Sequence, residues 1–575
     1  MSNIYFSFSC LQFHCEIDSG AMYIDTDILI VGGGAAGCFA AVEIYKKSPN
    51  CRVVIMEKAH IERSGCLAMG LNAINAYLHS GQTPESYVSY VEREFEGVIR
   101  KDLVYTIAQG LNEAVKDVEK MGLPIEKNED GSYKKRGKRS IRIFGERLKP
   151  ILAEAVTKTC TQVLNRVVAT NFIYQGERIC GAFGYGIKDS KFYVVRAKAV
   201  IVATGGASGL YRPNNPGESR HLMWYCPWNV GTGYAMGIRA GAEMTGFENR
   251  FIALRVKDVH APTGTIAVGV HSKQINARGE DYLERYYKHL GGNKCLTQHR
   301  LLATVEETKA GRGPCYLDTT TLNDADERRL KEDFLNMNPQ IILLWASEGM
   351  DPRKKPVEIQ GTEPFIVGGH CQSGYWIDKE RRTTLKGLYA AGEVAGGAPK
   401  KYVSGSWVEA RIAATTALED IKGVSLEEVD SELIHTEKSR VLTPLTKKSG
   451  ISPSEVRERL QKIMDEYAGG ISMNYALHEE RLLEARRLLK CLKGRLKDIT
   501  VINNYNLVEA LECIDRVDVA RVVAEHLIYR KETRWACYQT RLDYPKKDDS
   551  RWLAFVNSIY NSKTDEIKMV ERPLC

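Results

Sequence analysis

Apolar residues run unbroken from Ile28 to Val31, too short a stretch for a buried helix, and three glycines close it. That is the pattern of a strand covered on both faces. AAGCFAAVEIYKK follows, ending in two lysines, and Val53–Met56 is a second short apolar run. A strand, a glycine turn, a helix and a second strand are therefore predicted between residues 25 and 58. The pairing of an apolar run with glycines returns twice. AKAVIVATGGASGLY predicts a strand ending at Ala203, Thr204, Gly205 and Gly206. TTLKGLYAAGEVAGG predicts another ending at Gly392 and Glu393, and SGSWVEARIAATTALEDI then starts a helix near Ser404–Ser406.

Toward the carboxyl end the period becomes helical. In SPSEVRERLQKIMDEYAGG, Ser452 is the expected N-cap, Pro453 opens the first turn, and Val456, Leu460, Ile463 and Tyr467 share one face. ALHEERLLEARRLLKCLK and NLVEALECIDRVDVARVVAEHL repeat that amphipathic logic, so a helical bundle is expected. The last stretch, 531–575, is rich in Trp and Tyr and is expected to lie extended along the body of the protein or a partner.

A chain of 575 residues is too long for one core, so two or three domains are expected. A net charge of +8 suits anionic ligands, and no basic run is dense enough to argue for nucleic acid. The 15 cysteines show no C-x-x-C spacing, and many sit inside apolar runs. They read as buried thiols of a reducing compartment, with no iron–sulfur cluster carried by this chain. Residues 1–21 lack the basic and apolar regions of a signal peptide, and Met22 is an alternative start. The longest apolar stretch is too glycine-rich for a lipid span, so a cytoplasmic protein without a transmembrane segment is expected.

Gly32, Gly34 and Gly37 fill the G-x-G-x-x-G positions, which permit a tight turn, approach of a pyrophosphate and close helix–strand packing. Glu57 ends the second strand 20 residues after Gly37, followed by Lys58, where a ribose is bound in dinucleotide folds. The two later glycine-ended strands argue for FAD over NAD, because a ligand met by segments so far apart is large and deeply enclosed. A helix starting near Ser404–Ser406 places positive dipole where reduced flavin gathers negative charge.

On these motifs the chain resembles the flavoprotein subunits of the succinate dehydrogenase/fumarate reductase superfamily over nearly its whole length. The resemblance implies an α/β fold: a Rossmann-like FAD-binding domain with an inserted α+β capping domain and a C-terminal helical domain. The implied boundaries are an extension 1–22, the FAD domain at 23–245 and 365–435, the cap at 246–364, helices at 436–530 and a tail at 531–575. Many relatives bond the flavin to a histidine; here the triplet is Arg63-Ser64-Gly65, so noncovalent FAD is implied, with Ser64 beside it. Within the superfamily AMGLNAIN, GERLKPILAEA, MWYCPWNVGTGYAMGIRAGAEM, GRGPCYLDT and WLAFVNSIYNSKT are most similar to adenylylsulfate reductase α subunits. That family interconverts adenosine phosphosulfate and AMP plus sulfite, with electrons passing through a ferredoxin-like iron–sulfur β subunit.

Such a substrate needs charge neutralised at a sulfonate and at a departing phosphate. The resemblance places Arg255, in FIALRVKD, over the flavin where dicarboxylate enzymes write His-Pro-Thr. It makes Asn75 an orienting amide, Glu146 an active-site carboxylate and Trp224 a flavin wall or core aromatic. The chain departs from the family at Lys400, where a histidine is expected, and lysine titrates far from neutrality. His370 and Arg312 are further candidates, each equally readable as a structural side chain. The rival reading is a dicarboxylate or enoate reductase using Arg255, Lys400 and Lys401 as carboxylate clamps, Lys401 standing where fumarate reductases place a proton-donating arginine. A third is an electron-relay flavoprotein without turnover.

Overall fold

The computed structural model describes residues 20–213, 223, 225–257, 270, 272–337 and 339–574. Its largest sheet is built on the strand Ala21–Val31, which pairs in parallel with Val53–Glu57 on one side and Phe192–Val202 on the other. Gln162–Asn165 extends the first side and Leu388–Ala390 joins Phe192–Val202, both in parallel. Arg178–Gly186 and Val167–Gln175 complete the sheet as antiparallel strands. The glycine-ended strands at 200–203 and 388–392 thus finish beside the first glycine turn, as parallel neighbours must. One face carries the helices Ala35–Lys47 and Tyr402–Asp420, packed on each other. Phe39 stacks on Trp407 at 6.2 Å, and Arg411 reaches Glu43 at 3.1 Å.

Between the two parts of this domain lies a four-stranded antiparallel sheet ordered Leu254–Val256, Val357–Gly361, Cys315–Asp318 and Lys273–Ile275. Helices Thr297–Lys309, Asp324–Met337 and Gln340–Ser347 accompany it, the α+β make-up expected of a cap. It docks on the first domain through Arg142, 3.0 Å from Asp333, and through Asn336, which donates to the Ile143 carbonyl at 2.9 Å.

The helices Pro453–Tyr467, Glu479–Arg495 and Asn504–Tyr529 pack together. Ser452 caps the first, its hydroxyl accepting from Glu455 N at 3.2 Å while the Glu455 carboxylate accepts from Ser452 N at 3.1 Å. An additional helix, Ser431–Thr446, runs across the boundary expected at 435 and tolerates Pro444 within it. The final residues are not simply extended. Ala554–Asn561 and Glu566–Pro573 form a hairpin, and Ser558 pairs with Met244 of the first domain. The buried Glu248 carboxylate meets Arg530 at 2.9 Å and His526 at 3.0 Å at the end of the last long helix, and the tail itself is ion-paired to the core through Arg572 and buried Glu243 at 2.7 Å. Among the described residues no helix is long and apolar enough to cross a membrane. The expectations for residues 1–19 lie outside the described residues.

Candidate functional site

The turn after the first strand is shaped by what its glycines exclude. Gly32 has φ +102°, and a Cβ there would lie 2.7 Å from the Ala203 carbonyl oxygen. At Gly37 a Cβ would come within 1.9 Å of the Gly32 oxygen, so only glycine lets the helix start so close to the strand. Gly34 meets nothing nearer than 3.9 Å, leaving its backbone open to a ligand. Glu57 is buried and accepts from the backbone N–H of Gly33 at 2.8 Å and of Ala59 at 2.7 Å. Across the turn, buried Thr204 Oγ1 finds no hydrogen-bond partner among the described residues.

These groups line one cavity of about 630 Å3, within the range of small-molecule and cofactor sites. Gly32, Gly34, Glu57, Lys58, Ala203, Thr204, Gly205, Gly392, Glu393 and Ser406 all line it, from five separated segments. Lys58 also donates to Glu512 at 2.6 Å, tying the cradle to the longest C-terminal helix. Four expected cofactor residues stand behind the lining. Gly37 and Gly206 are the close-packing positions, a Cβ at Gly206 lying 2.5 Å from the Ile366 oxygen. Ser64 Oγ donates to the Gly33 carbonyl at 3.3 Å, and Ser404 Oγ to that of Ala76 at 2.7 Å. These hydroxyls hold the cradle rather than a ligand. An elongated dinucleotide is what an open glycine turn, an orphaned hydroxyl and a multi-segment cavity fit, so the residues suit FAD.

A second group of lining residues carries the polar chemistry: Asn75, Arg139, His370 and Lys400. His370 stacks at 4.4 Å on Phe251, meets Tyr402 edge-on at 5.2 Å, and has Nδ1 3.6 Å from the Glu393 carboxylate. Tyr225 donates a short hydrogen bond to the other Glu393 oxygen. Lys400 adopts φ +61°, a left-handed backbone uncommon outside glycine. Tyr87 OH fixes that turn by donating to the Lys400 carbonyl at 2.7 Å. Burial opposes the ammonium charge, but the Glu94 carboxylate 3.5 Å away favours it, and Lys400 stands well above the ordinary lysine range. Lys400 thus brings a positive charge to the cavity wall.

Other sequence candidates are placed elsewhere. Arg255 is fully buried and does not line the cavity; Ala253 and Leu254 do. Arg255 lies in the strand Leu254–Val256, where its charge acts on the buried Glu363 carboxyl. Glu146 is exposed on a separate small cleft beside Phe144 and Arg147, because the turn at Gly145 directs it outward. Arg312 pairs with Glu307 at 2.7 Å and lies over Tyr286, a structural use. Trp224 lies outside the described residues. Lys401 is fully buried and donates to the carbonyls of Gly392 and Ala395 at 3.0 and 2.8 Å and to Glu409 at 2.8 Å. All three of its donors serve the glycine turn, and none is left for a carboxylate substrate.

Sequence reasoning passed over Arg136, Lys138 and Arg139, which line the cavity from a hairpin. Their signal was present in KKRGKRS, basic residues around a turn glycine ahead of an alternating strand. All described cysteines are free thiols, and no cluster of metal-holding side chains occurs among the described residues.

Residues 27–406 match a family described as the FAD binding domain, and 457–575 match the fumarate reductase flavoprotein C-terminal family. The α subunit of adenylylsulfate reductase from Megalodesulfovibrio gigas is 31% identical, over 95% of this chain and 95% of that one. The structure of adenylylsulfate reductase from the hyperthermophile Archaeoglobus fulgidus superposes with a TM-score of 0.91 at 36% identity, covering 97% of both chains. An adenosine-5-phosphosulfate reductase in complex with sulfite, as a covalent adduct, matches with the same TM-score, identity and coverage.

Proposed function

The chain belongs to the adenylylsulfate reductase α-subunit family of FAD-dependent oxidoreductases, and from that premise we propose that it interconverts adenosine 5′-phosphosulfate and AMP plus sulfite. The observation that carries the proposal is that Lys400 lines the cavity that fits the cofactor, with Asn75 also in its lining. Phosphosulfate chemistry develops negative charge at a departing phosphate and a sulfur oxyanion, and a fixed ammonium stabilises both without having to be protonated first.

FAD, when bound by the glycine turn, Glu57 and the Gly392–Glu393 segment, supplies two-electron chemistry. Asn75 presents an amide that hydrogen-bonds and orients an oxyanion in the cavity. Lys400 neutralises charge, and His370 is held in the same cavity wall between Phe251 and Tyr402, with Nδ1 toward the Glu393 carboxylate. The cap closes over these groups and limits water. An iron–sulfur β subunit as electron partner, and a cytoplasmic setting that suits scattered thiols, belong to the same proposal.

The test is turnover of the flavin-loaded protein with AMP, sulfite and a one-electron acceptor, with fumarate assayed in parallel. Consumption of sulfite that depends on AMP, without fumarate reduction, is expected. Fumarate or enoate reduction with indifference to AMP and sulfite would overturn the proposal. The consumption of every Lys401 donor inside the fold already weighs against a carboxylate clamp at that position.

A further inference from the structure

The cavity has a second basic wall that the proposed reaction does not yet use. Lys135–Gly137 and Ser140–Arg142 are antiparallel strands, and Lys138–Arg139 forms the tip between them. The tip is held by its backbone: Gln82 Nε2 donates to the Lys138 carbonyl at 2.7 Å and Tyr77 N to that of Arg139 at 3.0 Å. His79 Nε2 lies 3.2 Å from the Ser140 carbonyl oxygen. These contacts hold the backbone at Arg139 and at the residues on either side of it.

The Arg139 side chain lies over Tyr90, its guanidinium carbon 4.2 Å from the ring centroid. A guanidinium held by a ring still has N–H donors to offer an acceptor. The Arg139 Nε is buried and has no acceptor among the described residues. Tyr90 also packs at 5.9 Å against Tyr87, whose hydroxyl holds the Lys400 turn. Arg139 and Lys400 are therefore set around one pair of tyrosines, and both line the cavity. Lys400 has a carboxylate neighbour in Glu94 at 3.5 Å, whereas the stacked arginine forms no ion pair among the described residues.

We propose that Arg139 and Lys400 form a two-cation clamp for a dianionic oxyanion, a phosphate monoester or sulfite, in which the Arg139 fork determines specificity. This rests on the phosphosulfate reading above and names the group that would hold the substrate's second charge. A guanidinium fork matches the paired oxygens of phosphate or sulfite, which a lysine alone meets only as a point charge.

The test compares flavin-loaded wild type, Arg139→Gln and Arg139→Lys. AMP and inorganic phosphate are titrated calorimetrically, and sulfite by bleaching of the visible flavin band. Arg139→Gln should weaken at least one of the three ligands by about ten- to a hundredfold, with flavin content unchanged. Arg139→Lys should recover only part of the loss. The ligand affected identifies which oxyanion occupies the clamp. Wild-type binding matched by Arg139→Gln for all three would overturn the clamp and leave the reaction standing. Wild type that responds to none of the three would overturn both. If Arg139→Gln does not retain flavin, Tyr90→Leu removes the stacking platform and keeps both cations. Weakened AMP, phosphate or sulfite binding in that variant is expected, and unchanged binding of all three overturns the proposal.

Discussion

Lys400 Nζ lies 3.5 Å from the Glu94 carboxylate and 5.8 Å from the centre of the Phe95 ring, so one helix end supplies two neighbours of this cavity-lining cation. The pair is nearly buried, where a charge contributes more than it does at the surface. Its environment holds Lys400 well above the ordinary lysine range, so its charge is constant over the physiological range.

A pH experiment follows from that constancy. Lys400 is raised above the ordinary lysine value, so its contribution is complete below that value and is lost only as pH climbs past the raised one. Oxyanion affinity of the wild type should therefore show no loss attributable to Lys400 between pH 6 and 9. Lys400→His should bind sulfite well below about pH 6.5 and progressively worse above it as the imidazole loses its proton. Parallel wild-type and variant profiles would contradict this.

Gly65 lines the cavity at φ +73°, with Gly34 Cα the nearest atom to a Cβ built there, at 3.7 Å. No side chain at that position can bond the flavin. Precipitation with acid should leave the yellow cofactor in the supernatant, and the protein band of a denaturing gel should show no flavin fluorescence.

Lys401 distinguishes a structural cation from a substrate clamp. Lys401→Met leaves Glu409 buried without its ammonium partner, a loss on the order of 3–5 kcal/mol when one member of a buried pair is removed. Flavin content and Tm should fall together, because the same ammonium holds the Gly392 and Ala395 carbonyls. Full flavin content and an unaltered Tm, with only turnover lost, would instead indicate a role in the reaction.

Glu363 gives the fold its own pH dependence. Burial, only partly offset by Arg255, pushes its carboxyl up to about 7. Between pH 4.5 and 7 the native state retains a proton that the unfolded chain has released, so stability falls as pH rises through that window. The cost approaches about 3 kcal/mol above pH 7, because holding one proton across each pH unit is worth ~1.36 kcal/mol. Glu363→Gln should be the more stable protein at pH 8 and nearly equal to wild type at pH 5, by thermal melts. An advantage independent of pH would show that the carboxyl titrates normally.

The dinucleotide cradle was legible because its requirements are local. Gly32, Gly34 and Gly37 are dictated by contacts within one turn, and Glu57 ends the strand that the turn faces. The same holds for Ser452 and Glu455, whose capping bonds join residues three apart. Each such motif carries its geometry in its spacing.

The sequence by itself determined the α/β architecture, the dinucleotide turn, the capped C-terminal helices and the likeness to one reductase family. Only the tertiary structure decided which cations meet the cavity. Arg255 sits between Leu254 and Val256 and Arg139 between Lys138 and Ser140, and neither local sequence says which arginine reaches the cavity. The strand holding the first buries it near Glu363, while a backbone-anchored hairpin tip places the second over Tyr90 in the cavity wall. Lys400 and Lys401 are adjacent in the chain, yet the left-handed turn at Lys400 leaves one in the cavity wall and the other buried against Glu409. Those outcomes depend on contacts between segments far apart in sequence, and a local pattern of residues holds no record of them.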